Sequence, residues 1–203
     1  MFRVGAAMWR RDRFGRVSMA ALTAALLAGA AATPARAAAT WTGATSQDWF
    51  TTSNWAPAAI PTSADQANIN GNQAAPTIVG KAGAVAGNVS LGVTAGQTGA
   101  LTVDGGALAV STQLLIGDFG SGILIVKNGG TLSSNITAIA NNTGSTGTVT
   151  ITGVGSSWSA GSFFDVGSSG NGTLNVLAGG KVTASTVSVG DDVAAAGIFG
   201  DSI

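Results

Sequence analysis

The sequence contains no cysteine, no histidine, no tyrosine and no glutamate, and charged residues make up only 9% of its 203 positions. Each absence removes some chemistry. Without histidine or cysteine there is no imidazole general base and no thiol nucleophile, and the usual transition-metal ligands are missing. A Ser-His-Asp triad is therefore impossible, no disulfide framework can form, and there is no thiol to be oxidised in an oxidising compartment. Positive charge is scarce where it would matter. All six arginines lie in the first 36 residues, and from Ala38 onward eight aspartates face three lysines, a net charge of −5. Nucleic-acid binding requires Lys and Arg to replace phosphate counterions, so that class is excluded. Gly153-Val-Gly155 and Gly170-Asn-Gly172 have neither the following helix nor the lysine of a phosphate loop, and read as turns.

What the chain has in abundance is glycine, 31 residues of it, interleaved with Val, Ile, Leu, Thr, Ser and Asn. From Gly99 to Asp192 these are arranged as one pattern written four times. Each copy opens on a Gly and a β-rich triplet: Leu101-Thr102-Val103, Leu124-Ile125-Val126, Val149-Thr150-Ile151 and Leu174-Asn175-Val176, whose first residues are 23, 25 and 25 apart. A glycine turn follows, and then a second strand ending in Ile116-Gly117, Ile139-Ala140, Val166-Gly167 or Val189-Gly190. Val89-Ser90-Leu91-Gly92 is a further copy of that second strand, 25 residues before Ile116. A period in this range marks a solenoid. Short β-branched runs with no 3.6-residue periodicity make it a β-solenoid and not a helical array. The expectation is an all-β parallel β-helix of about three short strands per coil. Aliphatic ladders point inward, Thr, Ser and Asn point outward, and glycine sits at the corners.

Residues 1–37 read as a helical secretory signal. A basic stretch with Arg3, Arg10, Arg11, Arg13 and Arg16 precedes an apolar run from Met19 to Ala32, and Ala35-Arg36-Ala37 has the small-x-small form of a cleavage site. The apolar run is too short to span a bilayer, so cleavage is expected after Ala37. Residues 38–80 are aromatic-rich, with Trp41, Trp49, Phe50 and Trp55, and read as a cap that shields the first coil. The alternative for Trp41, Trp49 and Trp55 is glycan stacking on exposed indole faces. Trp158, inside the third repeat, is expected at a coil corner. Residues 81–203 are the β-helix repeats, about 24 residues each, truncated at the C-terminus. The aspartates at 104, 118, 165 and 191 are scattered. Asp118 and Asp191 share a corner position but lie too many coils apart for an acid/base pair, so they read as solvated corner residues. No catalytic, cofactor or metal site is expected.

The order W-x-G-x-x-S-x-D-W-F…N-W…P-x-x-x-D-x-A-x-I, followed by T-[LV]-x-[VI]…G-G-x-[LV]…[VI]-G repeats, resembles the passenger region of bacterial autotransporters over residues 41 to 192. The segment from Gly147 through Trp158 to Leu174 is especially similar to that family's repeat. The resemblance implies a right-handed parallel β-helix held outside the outer membrane by a C-terminal β-barrel that is absent from this chain. It further implies a stalk or adhesin scaffold at the cell surface or secreted (periplasmic if the barrel is truly missing), with glycans or a host or matrix surface as partners. A carbohydrate-binding module built on the N-terminal tryptophans, and a fragment of a β-helix polysaccharide enzyme, are the other two expectations.

Overall fold

The structure is a computed structural model that describes residues 38–71, 75–190 and 196–202, the last of these as backbone only. The expected signal segment 1–37, its Ala37 cleavage site and Asp191 lie outside the described residues. The strands, in chain order, are β1 (Ala38–Trp41), β2 (Trp55–Ala56), β3 (Gln66–Ile69), β4 (Thr77–Val79), β5 (Ala84–Leu91), β6 (Thr98–Asp104), β7 (Ala107–Ile116), β8 (Ser121–Lys127), β9 (Thr131–Ile139), β10 (Thr146–Thr152), β11 (Ser157–Val166), β12 (Asn171–Leu177), β13 (Lys181–Thr183), β14 (Val187–Val189) and β15 (Ala196–Ser202). The one described helical element is a 3-10 turn at Thr52–Asn54.

These strands form two sheets that the chain visits alternately. The larger has the order β13-β11-β9-β7-β5-β3-β1-β2, with β14 also on β11; the smaller has the order β15-β12-β10-β8-β6-β4. Every pairing is parallel except the short antiparallel one between β1 and β2. This is a parallel β-solenoid of about six turns.

The glycine-bounded triplets align without slippage: Leu101 faces Leu124, Leu124 faces Val149, and Val149 faces Leu174. All four are fully buried. On the other sheet Ile69, Leu91, Ile116, Ile139 and Val166 make the matching ladder, also fully buried. Each inward aliphatic side chain removes apolar surface worth about 1.5–3 kcal/mol from water. A one-residue slip would turn every one of them outward, which is why the register holds.

The third strand of each coil is the continuation of the second. In β5, β7 and β11 the pairing register shifts partway along, between Ala86 and Asn88, Val110 and Gln113, and Ala160 and Phe163. The chain bends at these bulges and so gives one strand two faces of the coil. In the last coil the bend becomes a break, with β13 and β14 pairing separately with the two halves of β11.

Variation in repeat length is absorbed outside the strands. Between Ile116 and Ser121 the corner is Gly117–Gly120, whereas between Ile139 and Thr146 it runs from Ala140 to Ser145, two residues longer, yet Thr146 still pairs with Ser121. The tight corner needs glycine for two reasons. Gly117 has φ +77°, and a Cβ there would lie 2.1 Å from the Thr146 carbonyl oxygen.

Trp158 is not at a corner. It occupies the inward ladder after Ala84, Leu108 and Leu132, is 1% exposed, and meets Phe164 edge-on at 4.8 Å. Small side chains on the preceding coil leave space for it. Ser134 stands where the flanking coils have Val110 and Ala160, and Thr137 where they have Leu114 and Phe164.

Candidate functional site

Residues 38–80 contain solenoid as well as cap. Strands β1 and β3 already stand in the larger sheet, and β4 is the first strand of the smaller one. What distinguishes this end is the long loop between β1 and β2, which folds over both sheets. Strand β2 pairs with the outer edge of β1, Trp41 opposite Trp55. Ile78 of β4 donates its N–H to the Gln47 carbonyl (2.7 Å), and Trp49 donates its N–H to the Ile78 carbonyl (3.0 Å). Both sheet edges are thereby occupied, which blocks edge-to-edge addition at this end.

Asn54 fixes the loop. It is fully buried, and its Oδ1 accepts from the N–H groups of Thr45 (2.9 Å) and Ser46 (3.0 Å). Its Nδ2 donates to Ser46 Oγ and to the Asp48 carbonyl, both at 2.9 Å. All four hydrogen-bonding positions of the amide are used. Asp48 closes the next turn, accepting from the Phe50 N–H at 3.1 Å.

Trp41, Trp49 and Trp55 come together as the sequence pattern suggests, but inside. They are 5%, 0% and 2% exposed, and Trp55 meets Trp41 and Trp49 edge-on at 4.9 and 4.8 Å. Trp55 Nε1 donates to the Trp49 carbonyl at 2.8 Å. A sugar stacks on an open indole face, and with the rings packed into the core none of the three offers one. Lys81 lies over the Phe50 ring at 4.5 Å, a cation–π contact against the outside of the cluster.

Asp118 is not a solvated residue. It is 9% exposed, and its Oδ1 accepts from Asn141 Nδ2 and Asn142 Nδ2, both at 3.0 Å, on the next corner. Asn142 Nδ2 also donates to the Asp118 carbonyl at 2.9 Å. Two amide donors on one carboxylate oxygen make a structural clasp. At the opposite corner Asp104 accepts from Asn128 Nδ2 at 2.6 Å and pairs with Lys127 Nζ at 3.3 Å. Among the described residues no three acidic side chains converge as a metal centre would require. Sequence reasoning missed both Asn54 and the Asn141–Asn142 clasp. The only available signal was an Asn placed between aromatic or glycine neighbours, which does not distinguish a hub from an ordinary turn residue.

A family model described as a domain of unknown function, DUF8693, matches residues 40–157, more than half of the chain. The chain belongs to the DUF8693 family. No curated protein and no solved structure matches it. In structural terms the DUF8693 match begins within β1 and ends at the first residue of β11. It therefore covers the tryptophan cluster, the Asn54 loop and the Asp118 clasp together with the coils between them.

Proposed function

We propose that this DUF8693 chain is a non-enzymatic passenger of an autotransporter-type outer-membrane protein, acting outside the cell as a stalk or adhesin scaffold. The observation that carries the reading is the combination of an N-terminally blocked end with in-register coils. Asp118 and Asn54, both buried, spend their side-chain hydrogen bonds on backbone, amide and hydroxyl groups of the chain itself. The signal-like composition of residues 1–37 and the autotransporter-like repeat support the same reading. On this view a β-barrel supplied outside this chain anchors the passenger, and the coils project from it.

The test is made in the source cells. N-terminal sequencing of the mature protein should begin at Ala38, and protease added to intact cells should degrade the chain while leaving periplasmic markers whole. A mature protein that keeps Met1, or one protected until the outer membrane is opened, would overturn the proposal.

A further inference from the structure

The turn between β8 and β9 is Asn128-Gly129-Gly130, and its first two residues can react with one another. The Gly129 nitrogen attacks Cγ of the Asn128 side-chain amide, and a five-membered imide closes. The Cγ–Nδ2 bond breaks, and Nδ2 leaves as ammonia with the proton that the Gly129 nitrogen gives up. Water then opens the imide at one of its two carbonyls. Opening at Cγ leaves aspartate at position 128, and opening at the backbone carbonyl leaves isoaspartate. Glycine as the second residue offers no side chain to hinder the attack.

The fold draws the two reacting groups apart. Asn128 Nδ2 donates to Asp104 Oδ1 at 2.6 Å, on the coil before. The Gly129 N–H donates to Ser156 Oγ at 3.1 Å, on the coil after. Electrophile and nucleophile are thus tied toward opposite ends of the solenoid axis. The turn itself is closed by the Gly130 N–H on the Lys127 carbonyl at 2.9 Å, with Asn128 at φ +55° and Gly129 at φ +77°. An ionised carboxylate on the amide also opposes the reaction chemically, because it has no proton to give the departing nitrogen. Lys127 Nζ, 3.3 Å from Asp104 Oδ2, helps to hold that carboxylate in place. Asn128 is nonetheless exposed, and a Cβ on Gly129 would meet nothing within 4 Å. Water and room for the ring are both at hand once the ties are broken.

We infer that Asn128–Gly129 is a latent self-modification site: stacking between coils blocks imide formation, and opening of this corner releases it. The change is one-way. The product puts a carboxylate where an amide had donated to Asp104, so an attraction becomes a repulsion between like charges. Isoaspartate also adds a methylene to the backbone of the turn. A corner that has opened long enough to react does not close again as before, and the chain keeps a chemical record of the opening. The inference needs neither export nor a surface role. The test below and the export test above therefore fail independently.

The experiment incubates the full chain at mildly alkaline pH, in native buffer and in urea, and follows conversion at each asparagine by tandem mass spectrometry of its peptides. Isoaspartyl methyltransferase is the probe for isoaspartate. In urea Asn128 should react as fast as a free peptide with the sequence from Val126 to Thr131. In native buffer it should react roughly twentyfold more slowly, because two hydrogen bonds must break first, each worth about fivefold. Asp104→Ala and Ser156→Ala should each return about one such fivefold factor at Asn128. Asn171–Gly172, at the start of β12, is the internal reference for general loosening. Asn128→Asp should lower the urea midpoint of the folded chain, and combining it with Asp104→Asn should restore most of the loss. Equal rates in native buffer and urea overturn the inference. So do variants that leave the Asn128 rate unchanged or accelerate Asn171 by the same factor, and an Asn128→Asp chain as stable as the original.

Discussion

Trp158 Nε1 donates to Ser134 Oγ at 3.0 Å, across one coil step and 24 residues of chain. Ser134 Oγ lies 2.8 Å from Thr137 Oγ1 in the same interior. The three groups satisfy one another inside a largely apolar core. Ser134→Ala leaves the indole N–H and the Thr137 hydroxyl short of a partner and should lower stability by about 1–3 kcal/mol. Trp158→Phe, which removes the donor, should make the Ser134 substitution cheaper. A double-mutant cycle in urea measures the difference, and a coupling energy of zero would mean that the bond contributes nothing.

Asn54→Ala removes four hydrogen bonds from the N-terminal loop at once. The predicted loss is roughly 2–4 kcal/mol, since a buried network broken at its hub is among the large-effect classes of substitution. Limited proteolysis should then cut between Thr42 and Ser53 before any coil is attacked. First cleavage within β6 to β11 would show that the loop is not held by Asn54.

Gly117 and Gly129 both have φ +77°, but they differ in surroundings. A Cβ on Gly129 meets nothing within 4 Å, whereas one on Gly117 meets the Thr146 carbonyl at 2.1 Å. Gly129→Ala should cost only the left-handed penalty, about 1–2 kcal/mol. Gly117→Ala should cost clearly more, or abolish folding, because backbone on the next coil must move. Equal denaturation midpoints for the two variants would refute the clash.

Two carboxylates give the pH dependence its sign. Hydrogen bonds from the Thr62 side chain, and then from its backbone N–H, hold Asp65 below its ordinary range. The Asn128 amide, with a smaller contribution from Lys127, does the same for Asp104. A lowered folded value means that both groups add stability above the unfolded pKa, near 3.9. That contribution is lost as pH falls through the lower folded values. Asp65→Asn and Asp104→Asn should therefore each reduce stability modestly at pH 7, and the deficit should vanish in acid once the pH has fallen through the lowered folded values. The Asp104 effect should also shrink in high salt, because its lysine pair is exposed. Urea midpoints across pH decide this; a deficit that grows in acid would reverse the assigned sign.

The aliphatic ladders were readable because they are local and periodic. Leu101, Leu124, Val149 and Leu174 announce their pairing by spacing alone, and Leu91 with Ile116 does so across 25 residues. What could not be read is whatever one coil does to another. Trp158 is interior because Ser134 and Thr137, two dozen residues earlier, are small and polar enough to receive it. Asp118 is buried because Asn141 and Asn142 close over it from the longer corner. Strands β1 and β3 were hidden for a related reason: the loop inserted between them breaks the period while leaving Ala39 opposite Ala67. The bulges also merged the second and third strands of a coil into one, which composition cannot distinguish from two.

The corner after Ile139 carries two more residues than its predecessor, and the strands on either side do not move to accommodate them. The solenoid thus separates the parts that set its phase from the parts that set its outline. A foreign peptide spliced between Asn142 and Gly144 would ride on the exterior as cargo, with its neighbours on the adjacent corners held at the interstrand distance of about 4.8 Å. Such a stack can vary what it presents to its surroundings without re-solving how it folds.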